Sequence, residues 1–285
     1  MKPITEKVPY EQDNIVFTKE ATTPEFEYVW HQHVEFELLL FKKGSGITYI
    51  GNHIGQFEKG DVYFIGSNIP HVFEKGNKES IATCVVVQFN KDSLGEAFNE
   101  LNELKEISKL YEKSMFGIKI QDEKDKEFIT KLILKMNNTS GLSKLTTLLE
   151  CLDYISKIKE LPTLNNLPAI YLNNKETNRI DKVCNYTIEN YNKKITLDDV
   201  AGLVYMSVPA FCKFFKKSTR KTYIQFLNEV KIEHACKLLH DTELSVNEIA
   251  FNCGYNTLAN FHKQFFKIKN TQPHVYRKLY LSIAQ

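Results

Sequence analysis

Two histidines, a glutamate and a third histidine are the residues whose types and spacing could do chemistry. In His31-Gln32-His33-Val34-Glu35-Phe36-Glu37 polar and apolar side chains alternate. A strand period of two puts His31, His33, Glu35 and Glu37 on one face and Val34, Phe36, Leu38 and Leu40 on the other. His71 follows later, after Gly60-Asp61 and Ile69-Pro70. Imidazole and carboxylate together suit zinc, manganese or iron. The same groups can rim a ligand pocket without any metal, and both readings stay open. Trp30, Tyr49 and Tyr63 add aromatic faces. With His31, His33, Glu37 and His71 they form the candidate ligand-binding set, a mixture that suits a sugar or another small polar metabolite. No metal and no cofactor is expected; His31, His33, Glu37 and His71 are the residues that would hold a metal. No Ser-His-Asp set, phosphate-cradling glycine loop or cofactor fingerprint occurs elsewhere, so no catalytic residue is assigned.

A second set of residues lies in the last third of the chain, on a repeat. Thr196-Leu197-Asp198-Asp199-Val200-Ala201 matches Ser245-Val246-Asn247-Glu248-Ile249-Ala250. Each copy opens with a hydroxyl residue and places an acid three positions on, the pattern of a capping box. Each then has Ala, which lets a second helix cross closely, and a fresh N-cap at Ser207 or Asn256. An amphipathic helix follows, with Phe211 and Phe215 inward in one copy and Phe261 and Phe265 in the other. Two short helices joined by a tight turn make a helix-turn-helix. The outer face of the first second-helix carries Val208, Pro209, Ala210, Lys213, Lys216 and Lys217. That of its counterpart carries Thr257, Leu258, Ala259, Asn260, Lys263, Gln264 and Lys267. The two copies are expected at about 196–217 and 245–267, joined by one helix from Tyr223 to His240 with Ile224, Leu227, Ala235, Leu238 and Leu239 on its apolar side. Entering one face of DNA, the two outer helices would sit about 34 Å apart.

The elements that must position these residues fall into regions. Between residues 10 and 90, runs rich in Val, Ile, Phe and Tyr predict strands at 15–18, 26–30, 35–41, 47–50, 62–65 and 81–89, separated by glycine turns. Residues 92–160 carry helical periods through Phe98, Leu101, Leu104, Ile107 and Leu110, then Phe128, Leu132 and Met136, then Leu145, Leu148, Leu149, Leu152 and Ile155. Residues 161–177, broken by Pro162, Pro168 and four asparagines, read as a linker. The expected fold is multi-domain: an all-β barrel with trailing helices over 1–160, and an all-α domain over 178–285.

Composition supports this division. A length of 285 residues fits two domains. Residues 1–177 hold 21 Lys/Arg and 26 Asp/Glu, whereas residues 178–285 hold 16 and 9. A basic last third points to an anionic partner such as nucleic acid. The six cysteines form no C-x-x-C pair, and the polar start lacks the apolar core of a secretion signal. A reduced, cytoplasmic protein with no membrane partner is expected.

The quoted residues resemble a known family. Glu248-Ile249-Ala250, Gly254-Tyr255, Phe261, Phe265, Gln272-Pro273 and Tyr276-Arg277 follow the I-A-x-x-x-G-F, F-x-x-x-F and S-P-x-x-Y-R pattern of AraC/XylS-type transcriptional regulators. Ala201, Met206-Ser207, Phe211, Phe215 and Ile232–Leu239 give the first copy's match. Arg220 and Asn270 stand where the family usually has Gly after each recognition helix, and Lys231 stands where it usually has Arg, a phosphate contact. Tyr205 occupies the turn position that Gly254 fills in the second copy. The histidine pattern of the first region resembles the cupin-like sensor that precedes this DNA-binding domain. The resemblance implies base contacts at Pro209, Lys213, Ala259 and Lys263, with Asn260 beside them. Lysine can donate to guanine and Asn can pair with adenine. Lys216, Lys217 and Lys267 suit phosphates, with Ser207, Ala210, Asn256 and Thr257 at the helix starts. It further implies double-stranded DNA and a small-molecule effector as partners, and RNA polymerase if the protein activates. The leucine stripe at 145–155 either pairs two protomers into a homodimer or packs on its own barrel. Competing functions are a metal-dependent cupin enzyme with a DNA-binding tail and a regulator controlled by a protein partner.

Overall fold

The computed structural model describes residues 4–8, 15–23, 30–75, 81–165 and 174–283. The strands are β1 (Ile4–Thr5), β2 (Val16–Thr22), β3 (His31–Gln32), β4 (Phe36–Lys43), β5 (Gly46–Ile50), β6 (His53–Phe57), β7 (Val62–Ile65), β8 (His71–Lys75), β9 (Thr83–Phe89) and β10 (Ile118–Lys119). They form two five-stranded sheets, ordered β1-β3-β8-β5-β6 and β10-β7-β4-β9-β2. Inward side chains of both sheets interdigitate: Phe41 of β4 stacks on Phe57 of β6 at 3.8 Å, and Tyr63 of β7 meets Phe73 of β8 at 5.8 Å between ring centroids. Aromatic rings thus fill much of the space where a ligand pocket was expected.

The strand forecasts need correction at several places. Residues 26–29 lie outside the described residues, and the next strand starts at His31. β6 and β8 are two strands beyond those expected, because Gly55 and the preceding Pro70 interrupt their apolar pattern. The two-residue strands β1, β3 and β10 are too short to leave a period.

Helices cover the outer face of the second sheet: α1 (Glu96–Asn99), α2 (Lys105–Ser114), α3 (Glu123–Asn137) and α4 (Gly141–Ser156). The single helical period expected through Leu101 is broken there, and Leu101 is exposed. Leu148, Leu152 and Ile155 are buried in one cluster with Leu38, Phe64 and Val87 of the sheet, and Leu145 packs at its edge. Most of the leucine stripe therefore packs on its own domain. Residues 161–165, read as linker, are tied down: Leu161 is buried, and Asn165 donates from Nδ2 to the carbonyls of Ile50 and Phe116, both at 3.0 Å.

The second domain comprises α5 (Asn174–Asn190), α6 (Leu197–Leu203), α7 (Val208–Thr219), α8 (Tyr223–Asp241), α9 (Val246–Asn252), α10 (Leu258–Lys269) and α11 (Pro273–Ile283). α8 is buried on nearly every side, with Phe226, Val230, Ile232, His234, Ala235, Cys236 and Leu239 all covered. Such a helix lies at the centre of its domain. Ile224, expected on its apolar side, is exposed instead. No helix among the described residues is long and apolar enough to cross a membrane.

The two domains meet across the outer face of the first sheet. Trp30, Ile47, Tyr49, Ile54 and Val72 share one buried cluster with Ile180, Val183, Phe211, Phe215 and Phe226. Polar bonds fix the docking. Tyr49 Oη lies 2.8 Å from His234 Nε2 of α8, and the His234 ring stacks on Tyr191 at 3.6 Å. Asn52 donates from Nδ2 to the Thr219 carbonyl at the end of α7, at 2.8 Å. Tyr276 of α11 donates to Gln56 Oε1 at 3.0 Å. One hairpin, β5–β6, thus bonds to the end of α7 in the first helix-turn-helix unit, to the helix α8 between the units and to α11 beyond the second.

Candidate functional site

The two helix-turn-helix units are built alike. The Thr196/Asp199 and Ser245/Glu248 capping boxes both form, and each leaves its first helix started without unpaired N–H groups at the box positions. The turn after each first helix closes on the small residue: Met206 N donates to the Ala201 carbonyl at 2.9 Å and Tyr255 N to the Ala250 carbonyl at 3.0 Å. Both turns need a left-handed residue, Tyr205 at φ 57° and Gly254 at φ 72°. A side chain at Gly254 would put its Cβ 2.8 Å from the Tyr191 carbonyl oxygen, so glycine is required there. Tyr205 is exposed and has room. α7 and α10 end with Arg220 at φ 60° and Asn270 at φ 52°, the left-handed caps that glycine usually supplies.

Phe211, Phe215, Phe261 and Phe265 are fully buried, so α7 and α10 each present the opposite face outward. Ser207, Pro209, Ala210, Lys213, Lys216 and Lys217 are all exposed on the first unit. Asn256, Thr257, Ala259, Asn260, Lys263 and Lys267 are all exposed on the second. Three assignments change. Thr257, not Asn256, caps α10, its Oγ1 accepting from the Asn260 N–H at 3.3 Å. Val208 and Leu258, placed on the outer faces, lean on their domain cores. Lys231, at the position of a family phosphate contact, points inward: its Nζ donates to the Gly254 carbonyl at 2.7 Å and lies over the Tyr255 ring. Arg277 also acts internally, donating to the carbonyls of Leu239 and Leu244 where α8 ends and the next turn begins.

In the first domain the structure brings together four of the seven proposed ligand residues. β3 pairs with β8 so that His31 opposes His71. The ring centroids of His31 and His71 lie 4.3 Å apart, and those of His33 and His71 5.2 Å. One nitrogen of each of the three histidines lies within 4.8 Å of the others. Glu37, from β4 of the facing sheet, reaches the same point: its Oε2 is 2.9 Å from His33 Nε2 and its Oε1 is 3.9 Å from His71 Nε2. Gln88, which no sequence pattern singled out, donates to Glu37 Oε2 at 3.0 Å; it opposes Glu37 across the β4–β9 register.

Burial raises the Glu37 carboxyl, but the His33 bond and the neighbouring imidazoles outweigh it and hold the carboxyl down at about 2. Burial disfavours a charged His33, yet its bond to Glu37 raises it overall. Burial, helped by His31, lowers His71 to about 3. The cluster is a buried carboxylate facing imidazoles, chemically able to hold a cation.

The other three residues lie elsewhere. Trp30 and Tyr49 point out of the opposite face of the sheet into the domain interface. Strand alternation explains this: Tyr49 opposes Val72 while Ile50 opposes His71. Tyr63 is inward but beyond Phe73, its hydroxyl donating to the Gln56 carbonyl at 3.1 Å.

Comparison with known proteins follows the same two-part division. The AraC-like ligand binding domain matches residues 15–111, and a helix-turn-helix domain matches residues 200–279. The chain is 24% identical over 262 residues to YdeC, an HTH-type transcriptional regulator of Bacillus subtilis, covering 88% of this chain and 85% of that one. It is 29% identical over 100 residues to the melibiose operon regulatory protein of Escherichia coli, covering 35% of this chain and 33% of that one. Among solved structures, the C-terminal domain of AraT, a response regulator from Geobacillus stearothermophilus, is 27% identical, with a TM-score of 0.34, over 35% of this chain and 84% of that one. With an AraC-like ligand-binding domain ahead of a helix-turn-helix domain, and a relative aligned along most of its length, the chain belongs to the AraC-type transcriptional regulators.

Proposed function

We propose that this regulator reads a specific operator with both helix-turn-helix units at once, under the control of an effector bound in the first domain. The observation that carries the reading is the matched pair of exposed faces. Lys213 and Lys263 occupy equivalent positions on α7 and α10, helices that share a left-handed C-cap and two buried phenylalanines, although Thr257 caps α10 with its side chain and Ser207 makes no such bond to α7. They are assigned to base edges, with Pro209, Ala259 and Asn260 beside them. Lys216, Lys217 and Lys267 are assigned to phosphates, with Ser207, Ala210, Asn256 and Thr257 close to the backbone at the helix starts. The β5–β6 hairpin gives the effector a route to the second domain, because it bonds to the end of α7, to α8 and to α11. An effector shifts DNA binding only if it favours one docking arrangement over another.

The first domain serves as a sensor and not as an enzyme in this reading, and the cytoplasm is the compartment it requires. RNA polymerase is the further partner if the protein activates. A sugar pocket loses two of its aromatic walls, since Trp30 and Tyr49 are used at the domain interface. A homodimer through α4 loses most of its stripe to the protein's own core.

Binding to promoter fragments tests the reading, with wild type compared with Lys213→Ala and Lys263→Ala over a range of salt. Each substitution is expected to weaken specific binding about tenfold to a hundredfold, the worth of one base contact. Lys216→Ala should weaken all sequences alike and flatten the salt dependence. Equal binding of every sequence by wild type and both variants would reduce the site to a basic surface.

A further inference from the structure

We propose that Tyr205, in the turn between α6 and α7, contacts DNA, its phenolic hydroxyl donating to a phosphate oxygen beside the first recognition helix. The inference rests on the regulator reading and adds to it a backbone contact that the first unit makes and the second cannot.

The backbone of Tyr205 is fixed from both sides. Its N–H donates to the Gly202 carbonyl at 3.1 Å, and the next N–H, of Met206, donates to the Ala201 carbonyl at 2.9 Å. Between these two bonds Tyr205 holds φ 57°. Glycine takes that region freely and asparagine with little cost, but a bulky side chain strains there. Gly254 fills the same place in the second unit, and Asn270 takes the region at the end of α10. Arg220 bears the same strain, but as the cap that ends α7.

The side chain gains nothing inside the protein in return. Val204 before it is buried, and Met206 after it packs on the same core. Tyr205 between them is 89% exposed, more than any other large apolar or aromatic side chain among the described residues. Among those residues its ring and hydroxyl make no hydrogen bond or ring contact. Strain and an exposed ring both cost stability, so the partner that justifies them lies outside the chain.

The position says which partner. The first helix of a helix-turn-helix crosses the DNA backbone and the second enters the major groove. The turn that joins them therefore lies beside a sugar-phosphate strand. Ser207, exposed at the start of α7, is two residues from Tyr205, a span of at most about 7 Å. A phenolic O–H is a donor, and phosphate oxygens accept. The second unit has no such reach. A Cβ at Gly254 would lie 2.8 Å from the Tyr191 carbonyl oxygen and 2.9 Å from that of Asn192.

The test uses the full chain with a promoter fragment and a scrambled duplex. Tyr205→Phe keeps the ring and removes the hydroxyl. Tyr205→Asn removes the ring and suits the left-handed turn, so its Tm should equal or exceed that of wild type. Both variants should bind both duplexes about threefold to tenfold more weakly, the worth of one hydrogen bond. A neutral donor releases no counterion, so the salt dependence should stay as in wild type, whereas Lys216→Ala flattens it. Ethylating one phosphate at the first unit's end of the footprint should weaken wild type and leave Tyr205→Phe unaffected. Wild-type affinity in Tyr205→Phe would overturn the contact. A loss confined to the promoter fragment would overturn its assignment to phosphate. A lower Tm in Tyr205→Asn alongside the lost affinity would make the tyrosine structural and overturn the proposal. Unchanged binding by both tyrosine variants while Lys216→Ala weakens it sinks this inference alone. Failure of wild type to bind either duplex would overturn the regulator reading itself.

Discussion

Lys231 illustrates how much depends on single residues in this domain. Its ammonium is mostly buried and bonds the carbonyl of Gly254, the residue that the second turn cannot replace. Lys231→Met should therefore cost about 1–3 kcal/mol, because it leaves a buried carbonyl without its charged donor. Thermal unfolding would read this as a fall of several degrees in Tm. An unchanged Tm would mean that the contact is dispensable. The left-handed positions give a paired forecast. Gly254→Ala should destabilise by more than about 1 kcal/mol, since its Cβ meets backbone. Tyr205→Gly should stabilise by about 0.5–1 kcal/mol, since an exposed tyrosine now holds φ 57°. Opposite shifts in Tm for the two variants are the expected result. The sequence makes the pair visible, because Tyr205 and Gly254 align in the repeat. It does not reveal that Lys231 turns inward, because the distance from α8 to the second turn is set by packing.

At the scale of elements, the decisive contact is between β5 and α8. All five residues of β5 are buried, so the strand pattern shows that both faces are covered. It cannot show by what, so the pattern alone suits Tyr49 to a pocket as well as to the domain interface it occupies. Its partner His234 gives the contact a pH signature. Burial, with the nearby Lys237 charge, lowers His234 to about 3, so the ring is neutral in the folded protein near neutrality. The unfolded chain takes up a proton below about pH 6.5 that the folded state does not. Stability from this residue is thus present above 6.5 and is lost as pH falls, by about 1.4 kcal/mol at pH 5.5. His53, lowered to about 4 by burial, acts in the same direction. Asp181, raised to about 7 by burial beside Trp30, acts in the opposite one and loses stability as pH rises from its ordinary value towards 7. Comparing Tm of wild type and His234→Gln at pH 7.5 and 5.5 isolates the histidine. The gap between them should narrow at the lower pH; parallel curves would contradict the account. The helical elements were the most legible part. Capping boxes at Thr196 and Ser245 and phenylalanines spaced four apart carry their own local signals. The short strands β1, β3 and β10 exist only through partners distant in sequence.

In the whole molecule, one helix, α8, joins the two helix-turn-helix units, and one hairpin of the first domain bonds to the end of α7, to α8 and to α11. Asn52→Ala and Gln56→Ala remove single bonds from that hairpin while leaving the recognition faces untouched. Together they should alter operator affinity and leave nonspecific binding as it was, as titration of a specific and a scrambled fragment would show. Equal effects on both fragments would mean that the hairpin does not set the spacing of the helices. The most direct measurement is a hydroxyl-radical footprint of the protein on its operator. Two protected patches about one helical turn apart, roughly 34 Å, are predicted. Lys213→Ala should weaken one patch and Lys263→Ala the other. A single patch, or loss of both patches together in either variant, would contradict reading by two matched helices.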